Sequence, residues 1–127
     1  LFGGVVDDLN GTIGLPDWNA QFDLRADWNN WTVFYGLDWV GEQEDYTFND
    51  IDPATSIFIL NTDDVFYHAL SARYTSDNWS AQLGVTNLTD EDPPLVSDVL
   101  TTISGAAFYT GYDLRGRSVF VNLSVEF

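Results

Sequence analysis

Apolar and polar residues alternate along five segments of the chain. The last segment, residues 118–127, shows the pattern most clearly. Because successive side chains of a β-strand point to opposite sides, one face carries Val119, Val121, Leu123, Val125 and Phe127. The other face carries Ser118, Phe120, Asn122, Ser124 and Glu126. This alternation predicts a strand that contacts hydrocarbon on one side and water on the other.

The first two segments, residues 21–28 and 31–39, predict a β-hairpin. Asn29 and Asn30 lie between them, and Asn tolerates the left-handed backbone angles of a tight turn. The apolar face is predicted to carry Phe22, Leu24, Ala26, Trp28, Trp31, Val33, Tyr35, Leu37 and Trp39. The opposite face is predicted to carry Asp23, Arg25, Asp27 and Asp38.

The next two segments, residues 66–75 and 79–88, predict a second hairpin with a turn at residues 76–78. Their apolar face is predicted to carry Leu70, Ala72, Tyr74, Ala81, Leu83 and Val85. Arg73 and Gln82 belong to the opposite face. Each segment has a length of about 8–11 residues, which is close to what a tilted strand needs to cross a bilayer. No apolar run approaches the ~20 residues of a membrane-spanning helix.

Connection lengths predict an orientation. Short turns follow the first and third strands, whereas the connections at residues 41–65 and 89–116 are long. In outer-membrane barrels the short turns are periplasmic and the long loops extracellular. Aromatic residues predict a belt at each membrane boundary. The periplasmic belt comprises Trp28, Trp31, Tyr74, Trp79 and Phe127, and the outer belt Trp39, Phe66 and Tyr67.

Two further motifs precede the terminal strand. Residues 84–94 read GVTNLTDEDPP, and residues 112–117 read YDLRGR. Together with the strand ending in Phe127, they resemble the carboxyl end of a TonB-dependent outer-membrane receptor, where GVxNLFDKDPP and YDxxGR segments precede a last strand ending in Phe. Thr89 and Glu91 depart from the usual Phe and Lys. The resemblance extends over residues 16–127.

This resemblance implies an all-β fold, namely an antiparallel transmembrane β-barrel segment of about five to six strands from a larger barrel of about 22 strands. Residues 1–127 would form the carboxyl-terminal part of the receptor barrel, with no plug domain in this chain. The implied function is active uptake of a nutrient such as a siderophore, cobalamin or a glycan. The implied partners are outer-membrane lipid, the rest of the barrel and plug, the TonB complex through an amino-terminal part, and the barrel assembly machinery.

The implied location is the bacterial outer membrane, with extracellular loops and a periplasmic carboxyl terminus. The absence of an initiator Met and the small number of strands lead us to expect a fragment. A structural or pore-forming β-barrel subunit, completed by other copies or a partner chain, is an alternative. A soluble β-sandwich is a third possibility, which the aromatic belts disfavour because such a fold needs a polar outer face.

The net charge is −16, from 20 acidic residues against four arginines. Nucleic acid is therefore excluded as a partner, because no basic patch exists to neutralise phosphates. Fifteen of the 20 acidic residues lie in the amino-terminal segment and the long connections. They indicate either a solvated surface or a vestibule that attracts cations. The chain has no Cys and hence neither a disulfide nor a thiolate metal site.

Candidate site residues are the charges predicted on the polar face. A charge facing lipid costs ~2–4 kcal/mol near the bilayer midplane, so these side chains are expected to face the barrel lumen. The lumen-facing candidates are Asp23, Arg25, Asp27, Asp38 and Arg73. They form either a wet wall with ion pairs or, as the resemblance implies, contacts to a plug. The resemblance also makes Val119, Val121, Leu123, Val125 and Phe127 a membrane-assembly signal.

No catalytic, cofactor or metal site is predicted, and we expect the protein not to be an enzyme. His68 is the only histidine and is expected in an aromatic belt or at the barrel rim. Asp8, Asn10 and Thr12 have the spacing with which calcium loops begin, but the later ligands of such a loop are missing.

Overall fold

The structure is a computed structural model that describes residues 10–44, 55–97, 102–103, 106–107 and 111–126. All regular secondary structure in these ranges is β. The strands are β1 (Asn19–Trp28), β2 (Trp31–Val40), β3 (Gln43–Glu44), β4 (Asn61–Thr62), β5 (Val65–Thr75), β6 (Trp79–Thr86), β7 (Thr102–Ile103), β8 (Ala106–Ala107) and β9 (Ser118–Val125). The same ranges contain no helix with the length and apolar character needed to cross a bilayer.

The five long strands form one sheet in the order β1-β2-β5-β6-β9. Every neighbouring pair is antiparallel, so the strands follow one another across the sheet as they do along the chain. This confirms the predicted antiparallel all-β arrangement. Within the described residues the sheet is open, with β1 and β9 as its edges. Two small sheets, β3-β4 and β7-β8, belong to the long connections.

Both predicted turns are present at one end of the sheet, which we call the turn end. Asn29 adopts a φ of 51° and allows Trp28 to pair directly with Trp31. In the second turn, the Ser76 amide donates a hydrogen bond to the Trp79 carbonyl at 2.8 Å. The Asn30 side chain also donates to the Thr75 carbonyl at 2.6 Å. The two hairpins are therefore joined at their turns as well as along their strands.

Both long connections leave from the opposite end, which we call the loop end. This follows from the antiparallel order, because β2 and β6 end where β5 and β9 begin. For the described residues, this confirms the prediction that the two long connections leave the sheet at the same end. The carboxyl-terminal segment reaches the turn end, where the Glu126 amide donates to the Asn78 carbonyl at 2.9 Å. Phe127 lies outside the described residues.

The buried core lies at the loop end rather than in the middle of the sheet. Val40, Val65 and Tyr67 are buried together, and Tyr112 packs against them. Tyr67 was predicted in the outer aromatic belt, and this prediction is wrong. Tyr67 pairs with Asp38, one residue out of step with Trp39 and Phe66, so its side chain points to the polar face.

Candidate membrane surface and polar face

The strand register divides the sheet into two chemically different faces. Directly paired residues of an antiparallel sheet share a face, so the pairing assigns each side chain. Around the middle of the sheet, one face carries the row Leu24, Tyr35, Leu70, Val85 and Val119. The next row on this face is Ala26, Val33, Ala72, Leu83 and Val121. We call this the apolar face and the opposite side the polar face.

The apolar face is exposed despite its composition. Leu24, Leu83 and Leu123 keep 55%, 56% and 75% of their surface accessible. The other terminal-strand residues of the predicted assembly signal, Val119, Val121 and Val125, are also exposed on this face. Soluble monomers rarely expose apolar patches of more than a few hundred Å². A face of this kind therefore indicates a contact with something apolar.

Aromatic rings border the apolar face at both ends. At the turn end, the ring centroids of Trp31 and Tyr74 are 5.1 Å apart, and those of Tyr74 and Trp79 are 5.3 Å apart. At the loop end, Trp39 and Phe66 stack with centroids 6.3 Å apart. Trp31 and Trp39 lie at opposite ends of β2, so the two aromatic groups are separated by about 26 Å at ~3.3 Å per residue.

His68 lies on the apolar face, two residues from Phe66. Its ring nitrogen Nδ1 is 2.7 Å from the Tyr35 hydroxyl, and the two rings are 6.0 Å apart. The Tyr35 hydroxyl and His68 Nδ1 are thus paired with each other, which lowers the cost of placing these polar atoms near hydrocarbon. The position agrees with a histidine close to an aromatic belt.

All five predicted lumen-facing charges lie on the polar face, but they do not form one cluster. Arg25 forms an ion pair with Asp27, with Nε and Oδ2 3.0 Å apart. Asp27 also accepts a hydrogen bond from the Thr32 hydroxyl of β2 at 2.6 Å. Within the described residues, Asp23 and Asp38 have no basic side chain within 4.0 Å.

Arg73 is surrounded by neutral polar side chains. Its Nη2 donates to the Ser80 hydroxyl at 3.0 Å, and no carboxylate of the described residues lies within 4.0 Å. Next to it, Gln82 donates to the Ser71 hydroxyl at 3.3 Å, and Asn122 reaches Gln82 at 3.5 Å. The polar face is thus a row of hydrogen-bonding groups that crosses from β5 to β9.

Two phenyl rings on the polar face have a role that alternation does not reveal. Phe120 pairs with Gly84 across β6 and β9, and its ring covers the glycine so closely that a methyl group there would overlap it. Phe34 leans over Gly36 in the same way, with a ring carbon 3.2 Å from the corresponding position. The available signal in the sequence was a glycine within each strand segment, because a glycine on a strand often marks a close approach of another group.

The two sequence motifs before the terminal strand contact each other. Asn87 is 3% exposed and has a φ of 49°. Its side chain accepts from the Glu91 amide and donates to the Glu91 carbonyl, both at 2.8 Å. Asp90 accepts from the Arg117 amide at 2.9 Å and from the Arg117 guanidinium at 3.2 Å. We call Asn87, Asp90, Glu91 and Arg117 the clasp.

The clasp explains why β6 is shorter than predicted. The pattern extended the strand to residue 88, whereas β6 ends at Thr86. Asn87 turns the backbone into the left-handed region and binds the segment that follows it. The clasp therefore holds the start of β9 beside the end of β6.

A second polar network joins the long connections to the amino-terminal segment. Gln43 is 1% exposed, and its Nε2 donates to the Tyr112 hydroxyl at 2.8 Å. That hydroxyl donates to Thr62 Oγ1 at 3.1 Å. Gln43 Oε1 accepts from the Gly14 amide at 2.7 Å. Burial raises the pKa of the Tyr112 phenol above its ordinary value, so this hydroxyl stays protonated and able to donate.

The described residues hold no group of three or more His, Asp or Glu side chains arranged to bind a metal ion. Asp8, the first residue of the possible calcium loop, lies outside the described residues. No protein-family profile matches the chain, and neither a curated protein nor a solved structure does.

Proposed function

We propose that this chain is a segment of an outer-membrane β-barrel that belongs to a TonB-dependent nutrient receptor. The observation that carries the proposal is the exposed apolar face, because it is bordered by aromatic rings at both ends. Lipid hydrocarbon is the contact that this face suits. In water the same face would cost about 25 cal/mol for each Å² of apolar surface left uncovered.

The dimensions of the apolar face support a membrane location. At the 35–45° tilt of barrel strands, the ~26 Å between the aromatic groups corresponds to about 20 Å along the barrel axis. The apolar band of outer-membrane barrels is about 25 Å tall. Trp and Tyr suit its two boundaries, because each has an apolar body and a polar atom that favours the headgroup region.

The polar face suits the interior of the barrel. A row of Arg, Gln, Asn, Ser and Thr side chains needs water or protein partners, which hydrocarbon does not supply. In this proposal Asp23, Arg25, Asp27, Asp38 and Arg73 face the lumen. The loop end is extracellular, where its acidic groups remain solvated, and the turn end is periplasmic.

Assignment to a transport receptor depends on the resemblance of residues 84–94 and 112–117. The clasp adds a physical reason for the two motifs to occur together, since Asp90 of the first binds Arg117 of the second, and Asn87 fixes the turn that carries Asp90. The transported ligand would be a nutrient too large for passive pores, such as a siderophore, cobalamin or a glycan. No catalytic role is proposed.

A pore-forming subunit completed by identical copies is the second candidate, favoured by the open edges of the described sheet. Strand direction argues against it. With five antiparallel strands, β1 and β9 run in the same direction, so β9 of one copy would meet β1 of the next in parallel. Outer-membrane barrels pair their strands antiparallel, which favours completion by different strands of a longer receptor.

The matched substitutions Val121→Arg and Asn122→Arg test the proposal in the whole receptor. The residues are neighbours on β9 and lie on opposite faces. We expect Val121→Arg to lower the free energy of unfolding in lipid by about 2–4 kcal/mol and to reduce the amount of receptor in the outer membrane, because a charge then faces hydrocarbon. Asn122→Arg should change either quantity little. Equal effects of the two variants would refute a lipid-facing surface.

The receptor assignment has a separate test. We expect the gene segment that precedes these codons to encode further barrel strands and a plug domain. We also expect uptake of the ligand to stop when the TonB complex is deleted. Uptake unchanged by that deletion would contradict the transport assignment and leave the membrane location intact.

A further inference from the structure

Three consecutive apolar side chains are exposed in the long connection between β2 and β5. Ile57 is 91% exposed, Phe58 40% and Ile59 51%. We call these three residues the apolar tip. They belong to a connection at the loop end and not to the strands that form the apolar face, so the proposed contact of those strands with lipid does not account for them. Contiguous exposed apolar residues of this kind indicate an interaction site.

Hydrogen bonds hold the base of the apolar tip in place. The Phe58 amide donates to the Ser56 hydroxyl at 2.9 Å. The Ile59 amide donates to the Ser97 hydroxyl at 2.8 Å, and the Ser97 amide donates to the Ile59 carbonyl at 3.0 Å. The next residues inward, Leu60 and Val96, are 4% and 3% exposed. Hydrogen bonds between the two long connections therefore hold the apolar tip in place.

Carboxylates dominate the charge of the same end of the molecule. Both described arginines there are already paired, Arg115 with Asp113 at 3.8 Å and Arg117 with Asp90 at 3.2 Å. Exposed acidic residues come from three separate segments and include Glu42, Glu44, Asp63, Asp64, Asp90, Glu91 and Asp92. A ligand at the apolar tip therefore meets hydrocarbon there and an excess of negative charge at the same end of the molecule.

We propose that the apolar tip is a docking site for a cationic, amphipathic polypeptide segment. A second copy of the chain does not fit, because each copy carries a net charge of −16 and the two would repel. Anionic lipid headgroups are repelled for the same reason. An extended basic peptide fits best, since it places several separate cations over carboxylates from three segments while its apolar side chains cover Ile57, Phe58 and Ile59.

The test uses the whole receptor in a non-ionic detergent and three fluorescent peptides of 12 residues. The first peptide alternates Lys and Leu, the second Lys and Ser, and the third Glu and Leu. Fluorescence anisotropy measures the Kd of each. We expect the Lys–Leu peptide to bind at least ~10-fold more tightly than the other two, and less tightly as salt screens the charges. Equal binding of the Glu–Leu or the Lys–Ser peptide would overturn the proposal.

Two matched variants locate the site. Phe58→Ser removes an aromatic ring from the tip, whereas Leu114→Ser removes an apolar side chain that is 58% exposed elsewhere at the loop end. We expect Phe58→Ser to weaken binding of the Lys–Leu peptide at least ~5-fold and Leu114→Ser less than ~2-fold. Equal effects of the two substitutions on peptide binding would overturn the proposal. So would stronger binding of the receptor to anionic vesicles than to the Lys–Leu peptide. Binding in detergent does not depend on transport, so its failure is distinguishable from failure of the proposed function.

Discussion

The sheet and the loop end are stabilised in different ways. The sheet has backbone pairing along five strands, and most of its side chains stay exposed on one face or the other. At the loop end the backbone is irregular, and buried polar side chains such as Gln43 and Asn87 hold it together. A sheet of this kind tolerates many substitutions that keep the chemistry of each face, whereas the loop end depends on individual side chains.

The stability of the sheet depends on the absence of a side chain at Gly84. We expect Gly84→Val to destabilise the protein by about 2–3 kcal/mol, because its side chain would collide with the Phe120 ring and with Ser71. Chemical unfolding in detergent measures the loss. The double variant Gly84→Val with Phe120→Ala should recover part of it, and a double variant no better than the single one would contradict the ring–glycine contact.

Asn87 tests the loop end. We expect Asn87→Ala to cost about 2 kcal/mol, since it removes two hydrogen bonds to Glu91 and places at positive φ an alanine, which adopts this region less readily than asparagine. Asn87→Gly separates the two contributions, because glycine adopts this φ freely but makes neither bond. If Asn87→Gly is as stable as the natural protein, the hydrogen bonds contribute nothing and the clasp has no energetic role.

Tyr112 tests the polar network between the connections. We expect Tyr112→Phe to cost about 1–2 kcal/mol, because the buried Gln43 amide then loses its acceptor. The contribution of Tyr112 to the free energy of unfolding should also depend on pH. Burial raises the pKa of Tyr112 in the folded state, so its contribution is complete below the unfolded value of about 10 and is lost as the pH rises above it.

The comparison of unfolding free energy at pH 8 and pH 11 in both proteins isolates this contribution. The natural protein should lose more stability than Tyr112→Phe over that interval, since its folded state binds the phenolic proton at position 112 more tightly than its unfolded state does. An equal loss in the two proteins would show that other groups account for the whole effect.

Asp90 gives the smallest expected effect. Asp90→Asn weakens the ion pair to Arg117, whose two side chains are about half exposed, and exposed pairs contribute less than ~1 kcal/mol. The Asn oxygen still accepts from the Arg117 amide. We expect a loss below ~1 kcal/mol that diminishes in 0.5 M salt. A loss as large as that of Asn87→Ala would mean that the ion pair, rather than Asn87, holds the clasp.

The two regions also differ in how far the sequence predicts them. Alternation along β1, β2, β5, β6 and β9 predicts their order, their faces and both turns, because the period of two is a direct consequence of strand geometry. Tyr67 shows the limit of this reasoning, since it was grouped by residue type with Trp39 and Phe66 although its position in the strand gives it the opposite face.

The loop end is less accessible to prediction. The spacing of Gln43, Thr62 and Tyr112 does not indicate that these residues meet, because only the tertiary structure brings the two connections together. The contact between Asp90 of the first motif and Arg117 of the second is likewise not predicted from the sequence. A sequence motif by itself therefore does not show which of its residues contact another motif in the folded protein.

In our proposal the apolar face of the sheet contacts lipid hydrocarbon. Spin labels at each position from 118 to 125 of β9, in the whole receptor reconstituted in bilayers, test it most directly. We expect labels at Val119, Val121 and Leu123 to be accessible to oxygen and shielded from a water-soluble nickel complex, and those at Ser118, Phe120 and Asn122 to show the reverse. Oxygen accessibility of the labels without a period of two residues, or access of the nickel complex to the label at Val121, would contradict a lipid-facing surface.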